Sequence, residues 1–349
     1  MTVTIVAWVL LLSIAAYACG GGTDYGAGFW DLLAGGAERG QRPRWLIDHA
    51  MAPVWEVNNV WLVFVLVVMW TGFPTVFQAV FSALWLPLAL AAVGLVLRGA
   101  GFALRKPTRR LSGRRLYGAA FAVSSLLTPY FLGTAVGGVV SGRVTAGAAY
   151  SSAEVWSNPT SIMTGLLAVA ASAFLGAVFL TGDAYRLGVH DLVPYFRLRA
   201  LCSLAVLGVL ALVGLFVTRD DARYVHDGLT RGPGLVLVAL SALGGLATAW
   251  LLVRGSRLWA RGTAVTAVVL VVVAWGIAQR PYMLPTSLTV TDAAGASATL
   301  NWLVIVSVVA LALVGPAVVL LYRLDARGEL EPLTDEDTAL QETGPLGRG

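Results

Sequence analysis

Few side chains in this sequence could do acid–base or charge chemistry, and the surroundings of those few are informative. Glu56 stands in Trp55-Glu56-Val57-Asn58-Asn59-Val60-Trp61, where an apolar run begins. Asp24 stands in Gly22-Thr23-Asp24-Tyr25-Gly26, just after another such run, and Arg98 closes a third in Leu97-Arg98-Gly99. An ionisable group in apolar surroundings is costly to keep, so by default it marks an ion or proton pathway or a buried pair. Each also has a plainer reading. Arg98 can snorkel to lipid headgroups, Asp24 can be an exposed loop carboxylate or helix cap, and Glu56 can sit at the aqueous boundary. The residues alone leave these alternatives open.

Other chemistries lack their residues. Haem inside a helical bundle needs inward-facing His, Met or Cys ligands. The histidines are His49, His190 and His226, which fall in loops or at a membrane boundary, with no pair at helical spacing. Met69 and Met163 lie in apolar runs, where a lone Met is usually core filling. There is no CxxC, HExxH or P-loop pattern, which argues against autonomous metal chemistry and nucleotide hydrolysis. Cys19 and Cys202 have no metal-binding spacing. The chain is therefore expected to ligate no cofactor and no metal of its own.

The elements that must position these groups are membrane spans. Of 349 residues, 58% are hydrophobic and 12% charged, with a mean hydropathy of +0.78. Soluble domains are about half apolar and about a quarter charged, so this composition suits a lipid-facing surface. Apolar runs at 4–20, 54–73, 80–103, 118–139, 162–182, 199–218, 233–253, 262–278 and 300–322 predict nine transmembrane helices in an all-α integral membrane protein. The segment 21–53 reads as a polar, Gly-rich connection, and 279–299 as a second one with Pro281 and Pro285. Residues 1–322 form the polytopic transmembrane domain. Residues 323–349, rich in Asp and Glu, read as a short disordered cytoplasmic tail. Ala16-Tyr17-Ala18-Cys19-Gly20 has the look of a processing site, but no Lys or Arg precedes Arg39, so an uncleaved first helix is expected.

Charge orients the spans. The net charge of +5 could suggest nucleic acid, but the basic residues lie in short clusters between apolar runs, where anionic lipid and the positive-inside rule account for them. With the N-terminus outside, the inner segments hold Arg39, Arg42 and Arg44, the six basic residues from Arg105 to Arg115, Arg186, Arg197 and Arg199, Arg254, Arg257 and Arg261, and Arg323 and Arg327. The outer loops hold Arg143, Arg219, Arg223, Arg231 and Arg280. Seventeen against five, alternating loop by loop, predicts an N-out, C-in protein.

A multi-span solute transporter or membrane-assembly factor is one reading from physics alone. Its marks would be helices broken at matching places in two halves, for which Gly72-Phe73-Pro74 and Thr128-Pro129 are weak candidates without a repeat between them.

A more specific reading comes from ordered motifs. Pro53-Val54-Trp55-Glu56-Val57-Asn58-Asn59-Val60-Trp61-Leu62 resembles the signature PVWDGNEVWL of subunit II of cytochrome bd-type quinol oxidases. Phe73-Pro74, Leu84-Trp85-Leu86-Pro87-Leu88 and Leu97-Arg98-Gly99-Ala100-Gly101-Phe102 resemble that family's FP, YLPL and LRGVAFE elements in the same order. Upstream, Gly22-Thr23-Asp24-Tyr25-Gly26-Ala27-Gly28 resembles its GFDLGVG. Arg280-Pro281-Tyr282-Met283-Leu284-Pro285, followed by Leu288-Thr289-Val290 and Ala293-Ala294, resembles its PYxxP…LTxxDAA segment. Each piece is weak, but the ordered set is specific.

The resemblance implies two four-helix bundles plus a peripheral helix, in a bacterial plasma membrane. It implies a haem-bearing subunit I that carries haem b and haem d, oxidises quinol and reduces O₂ to water. Subunit II would support that partner and help to bring protons from the cytoplasm. A small single-span accessory subunit, membrane lipid and quinone are further possible partners; nucleic acid is not. Carried over by position, Glu56 is a proton-path candidate and Asp24 a second, with Trp55, Asn58, Asn59, Trp61 and Arg98 as signature or subunit-interface residues. The signature is altered. Its Asp is Glu56, one C–C bond (about 1.5 Å) longer in reach, its Gly is Val57, and its second carboxylate is Asn59. Losing one of two nearby acids removes a like charge from the other.

Overall fold

A computed structural model describes residues 1–36, 39–51, 55–105, 111–147 and 153–326. The side chains of Trp55 and Glu56 lie outside the described residues, as does 327–349, most of the expected tail.

Among the described residues the chain is almost wholly helical. In order the helices are α1 (Thr2–Leu32), α2 (Gln41–Met51), α3 (Trp55–Gly72), α4 (Pro74–Ala83), α5 (Trp85–Arg105), α6 (Leu111–Val140) and α7 (Ala153–Trp156). They continue with α8 (Pro159–Arg186), α9 (Leu192–Asp221), α10 (Arg223–Thr230), α11 (Gly232–Arg254), α12 (Arg257–Gln279) and α13 (Ser297–Ala326). Between α12 and α13 a small antiparallel hairpin pairs β1 (Tyr282–Leu284) with β2 (Leu288–Thr289), Tyr282 opposite Thr289 and Leu284 opposite Leu288.

Eight of the nine apolar windows each fall on one helix, while 80–103 begins in the last turn of α4 and continues through α5 after a break at Leu84. Seven described helices are long and apolar enough to cross a bilayer, or eight when the pair Val57–Gly72 and Pro74–Ala83 is taken as one span bent by 118°; Trp85–Gly101 is a shorter apolar helix. Pro74 explains the bend. Proline disfavours helical geometry in the residue before it, and Phe73 is non-helical at φ −137° and ψ 64° with its ring fully buried. Pro129 leaves α6 continuous, since neighbouring helices can satisfy a freed carbonyl. At α8 the start is set by Pro159 in the first turn and by Asn158, whose side chain accepts a hydrogen bond from the Ser161 amide at 2.9 Å.

Packing divides the spans into two four-helix groups. One is α1, α3, α5 and α6, and the other α8, α9, α11 and α12; α1 and α6 join them by packing on α8. The peripheral helix α13 touches α1 and α3 and leaves nearly all its surface uncovered. Two large apolar cores result, with a third, small one around Val225 and Ala278. One, around Phe121, Phe174, Phe196 and Leu180, fills the end where the basic residues gather. The other, around Phe73, Leu84, Leu284 and Leu300, fills the opposite end beneath the hairpin.

The segment 21–53 departs from the expected connection. Helix α1 does not stop at Gly20 but runs to Leu32, and 41–51 is helical too. Its 31 residues span about 46 Å at 1.5 Å each, more than the roughly 30 Å hydrocarbon core. Glycine costs about 1 kcal/mol per helical position relative to alanine, and here close packing offsets that cost. A Cβ on Gly26 would stand 1.8 Å from the Ser172 carbonyl oxygen, and one on Gly176 would stand 2.4 Å from the Gly26 carbonyl carbon. Helices α1 and α8 therefore cross backbone to backbone, as small residues permit inside membranes. At the other boundary α13 continues to Ala326, past residue 322.

Candidate functional site

The extension of α1 determines where Asp24 lies. It is not a loop carboxylate but a helical residue, 4% exposed, in the interior of the first bundle. From α3, Asn58 reaches it and donates from Nδ2 to Asp24 Oδ2 at 3.0 Å. From α5, Arg98 reaches it on another side: one guanidinium nitrogen donates to the Asp24 backbone carbonyl at 2.6 Å, and the other to Ser125 Oγ of α6. Arg98 is 3% exposed, with its guanidinium carbon 4.9 Å from the Tyr25 ring centre and 4.6 Å from that of Phe121. Snorkelling is thereby overturned: Arg98 turns inward, toward two hydrogen-bond acceptors and two ring faces. Arginine suits this place because its planar, weakly hydrated fork can bond and stack at once.

Four helices thus converge on one buried polar cluster, in which Arg98 holds the Asp24 main chain and Asn58 its side chain. The Tyr25 hydroxyl continues it along α1 to that of Tyr17, 2.7 Å away. Glycine makes the room. A Cβ on Gly28 would fall 2.0 Å from Ser125 Oγ and 2.9 Å from Arg98, and one on Gly20 would fall 2.8 Å from Asn58 Oδ1.

Of the sequence candidates, the structure brings Asp24, Asn58 and Arg98 together. Asn59 and Trp61 are half-buried on α3. Trp55 and Glu56 open α3, with side chains outside the described residues. Sequence reasoning missed Tyr17, Tyr25 and Ser125. The available signals were a Tyr next to a candidate carboxylate and a serine pair, Ser124-Ser125, inside an apolar run.

Toward the basic end lie further ion pairs. Arg44 meets Asp31 at 3.0 Å, Arg42 meets Asp191 at 2.5 and 2.9 Å, and Arg261 meets Asp183 at 2.7 Å. At the opposite end Asp221 accepts from Arg143 at 2.5 Å and from the Thr160 amide at 3.0 Å.

His49 Nδ1 bonds to the Trp45 carbonyl with its ring against the Trp45 indole, His190 is exposed beside Tyr185, and His226 contacts Thr218 at 3.3 Å. They stand on α2, the α8–α9 connection and α10, and no two of them contact each other. Among the described residues no group of three or more His, Cys, Asp or Glu gathers as a metal site.

Comparison with known proteins places these features. The family model described as cytochrome bd terminal oxidase subunit II matches residues 2–325. The chain is 24% identical to subunit 2 of the cytochrome bd-I ubiquinol oxidase of Escherichia coli strain K12, over 86% of this chain and 89% of that protein. It is 22% identical to a putative cytochrome bd menaquinol oxidase subunit II of Bacillus subtilis strain 168, over 59% of each. Among solved structures it is similar to a chain of the bd oxidase from Geobacillus thermodenitrificans, with a TM-score of 0.79, 28% identity, and coverage of 93% of this chain and 98% of that one.

Proposed function

The chain belongs to the cytochrome bd terminal oxidase subunit II family, and we propose that its part in the complex is to deliver protons from the cytoplasmic side toward a haem-bearing subunit I. As subunit II of a quinol oxidase complex it is a protein of the bacterial plasma membrane with a subunit I partner. The family match disfavours the transporter alternative. Haem b and haem d, held by the partner, supply electron transfer and O₂ reduction, with quinol as reductant. The relatives' named quinols differ, ubiquinol in one and menaquinol in another.

The observation that carries the proton reading is Asp24, held inside the bundle with its carboxylate accepting from the Asn58 amide and its backbone carbonyl accepting from the Arg98 guanidinium. A carboxylate can accept and release a proton, whereas Asn58 and Arg98 cannot readily do so and instead hold it in place. Glu56, at the start of α3, would take the proton from the basic end, with water completing the step to Asp24. The hydroxyls of Tyr25 and Tyr17 continue the polar track along α1. The bias of basic residues supports an orientation with the N-terminus outside and the C-terminus in the cytoplasm.

Purified with its partner, the protein should show haem b and haem d spectra, and the isolated chain should bind no haem. Glu56→Gln and Asp24→Asn should each slow O₂ consumption with haem content unchanged. Wild-type turnover in both variants would end the proton-path reading, and tight haem binding by the isolated chain would overturn the division of labour.

A further inference from the structure

At the basic end of the second bundle, the last turn of α8, the connection to α9 and the first turns of α9 and α12 enclose an open cavity of about 460 Å³, lined by Tyr185, His190, Val193, Pro194, Arg197 and Arg257. A second cavity of about 280 Å³ shares Tyr185 and Arg257 and adds Gly182, Leu258 and Arg261. No carboxylate lines either one. The nearby acids are engaged elsewhere: Asp183 holds Arg261 and Arg186, and Asp191 holds Arg42. Among the described residues Arg197 and Arg257 have no ion-pair partner. The Arg257 guanidinium lies 3.9 Å from the Tyr185 ring centre, and its buried Nε has no hydrogen-bond acceptor.

The height of the cavity is marked by its neighbours. Trp259 is 72% exposed and Leu258 78% exposed on the turn after Arg257, and Arg254 packs on the exposed Trp250 indole at 4.4 Å. Indoles and arginines at one level are the signature of the bilayer interface. The exposed indoles put the cavity at headgroup depth, with two guanidinium groups that have no ion-pair partner among the described residues beside an apolar edge of Val193, Pro194 and the exposed Leu198. We infer that it is a binding site for the phosphodiester of an anionic phospholipid in this leaflet, gripped by Arg197 and Arg257, with the acyl chains lying along α9 and α12. Guanidinium groups match phosphate oxygens with paired, charge-assisted hydrogen bonds, and basic pockets between spans are suited to acidic headgroups. The apolar edge and the exposed Leu198, Leu258 and Trp259 beside it favour a lipid over free phosphate.

The test uses the full chain purified with its partner in a neutral detergent. Native mass spectrometry counts retained lipid, and titration with phosphatidylglycerol or phosphatidylcholine is followed by thermal unfolding. Wild type should keep phosphatidylglycerol in preference to phosphatidylcholine. R197Q/R257Q should bind it about tenfold or more weakly, the loss expected when charge-assisted hydrogen bonds are removed. R254Q, at the same height but outside the cavity, should bind it as wild type does. If the double variant does not assemble, R197Q and R257Q are measured singly, and each should still weaken binding by about threefold or more. Unchanged phosphatidylglycerol binding in the arginine variants, equal binding of phosphatidylcholine, or displacement of the lipid by equimolar inorganic phosphate would overturn the assignment.

Discussion

The contact between Asp24 and Arg98 can be measured as a coupling energy. In Arg98→Met the side chain keeps much of its length but loses its bond to the Asp24 carbonyl at 2.6 Å, its bond to Ser125 and its packing on Tyr25 and Phe121 as a cation. Hydrogen bonds to charged groups are worth about 1.5–3 kcal/mol each in soluble proteins and fall to about 0.6–2 in membrane bundles. The single variant should therefore cost about 3 kcal/mol. Asp24→Asn keeps the shape and a bond to Asn58 but strips Arg98 of its buried counter-charge, at about 2 kcal/mol, since breaking one side of a buried pair leaves the other uncompensated. Because the double variant removes both charges, it should cost about 1–2 kcal/mol less than the two single effects added together. Equilibrium unfolding in mixed micelles gives the four stabilities of the cycle. Additivity within about 0.5 kcal/mol would show that the two groups do not sense each other, and would refute the cluster as an electrostatic unit.

The helix crossing gives a second expectation. Gly26→Ala places a Cβ against backbone atoms of Ser172 and Gly176 that cannot rotate away, so it should lower stability by about 3 kcal/mol, the upper end of overpacking costs. Gly262→Ala, on an open part of α12 with nothing within 4 Å of the added carbon, should be neutral or slightly stabilising; equal unfolding midpoints for the two would refute the crossing. For orientation, a reporter active only in the cytoplasm, fused within 105–117, should be active. Activity of an exported reporter there would reverse the N-out, C-in topology.

How legible all this is in the sequence depends on the range of the cause. The membrane helices are legible because each is a local apolar run, and the nine apolar windows all land on helical segments, seven or eight of them long enough to cross a bilayer by themselves or as a bent pair. The extent of α1 is not, because Gly20-Gly21-Gly22 reads locally as a breaker. What keeps it helical is α8, more than a hundred residues away, pressed against Gly26. The same distance hides the site. Arg98 reads equally well as snorkelling or paired until Ser125 and the Asp24 carbonyl are brought to it by folding. Phe73-Pro74 announces an interruption, but only the packing turns it into a 118° bend. The hairpin in 279–299 is too short for any periodicity to declare.

The glycines of α1 connect these two hidden features. Gly26 lets α8 approach on one side, while Gly20 and Gly28 leave space on others for Asn58, Ser125 and the Arg98 guanidinium. A larger residue at 28 would occupy the place where Arg98 and Ser125 meet, and one at 20 would push away the amide that holds Asp24. The glycine run is therefore not a flexible connection placed beside an acidic residue. It is a helix face trimmed to backbone, so that an aspartate and an arginine from different spans can lie side by side in the bundle interior. In a proton route this arrangement keeps Asp24 in one position while it gains and loses charge, since Asn58 and Arg98 hold it through an oxygen of the side chain and the carbonyl of the main chain respectively.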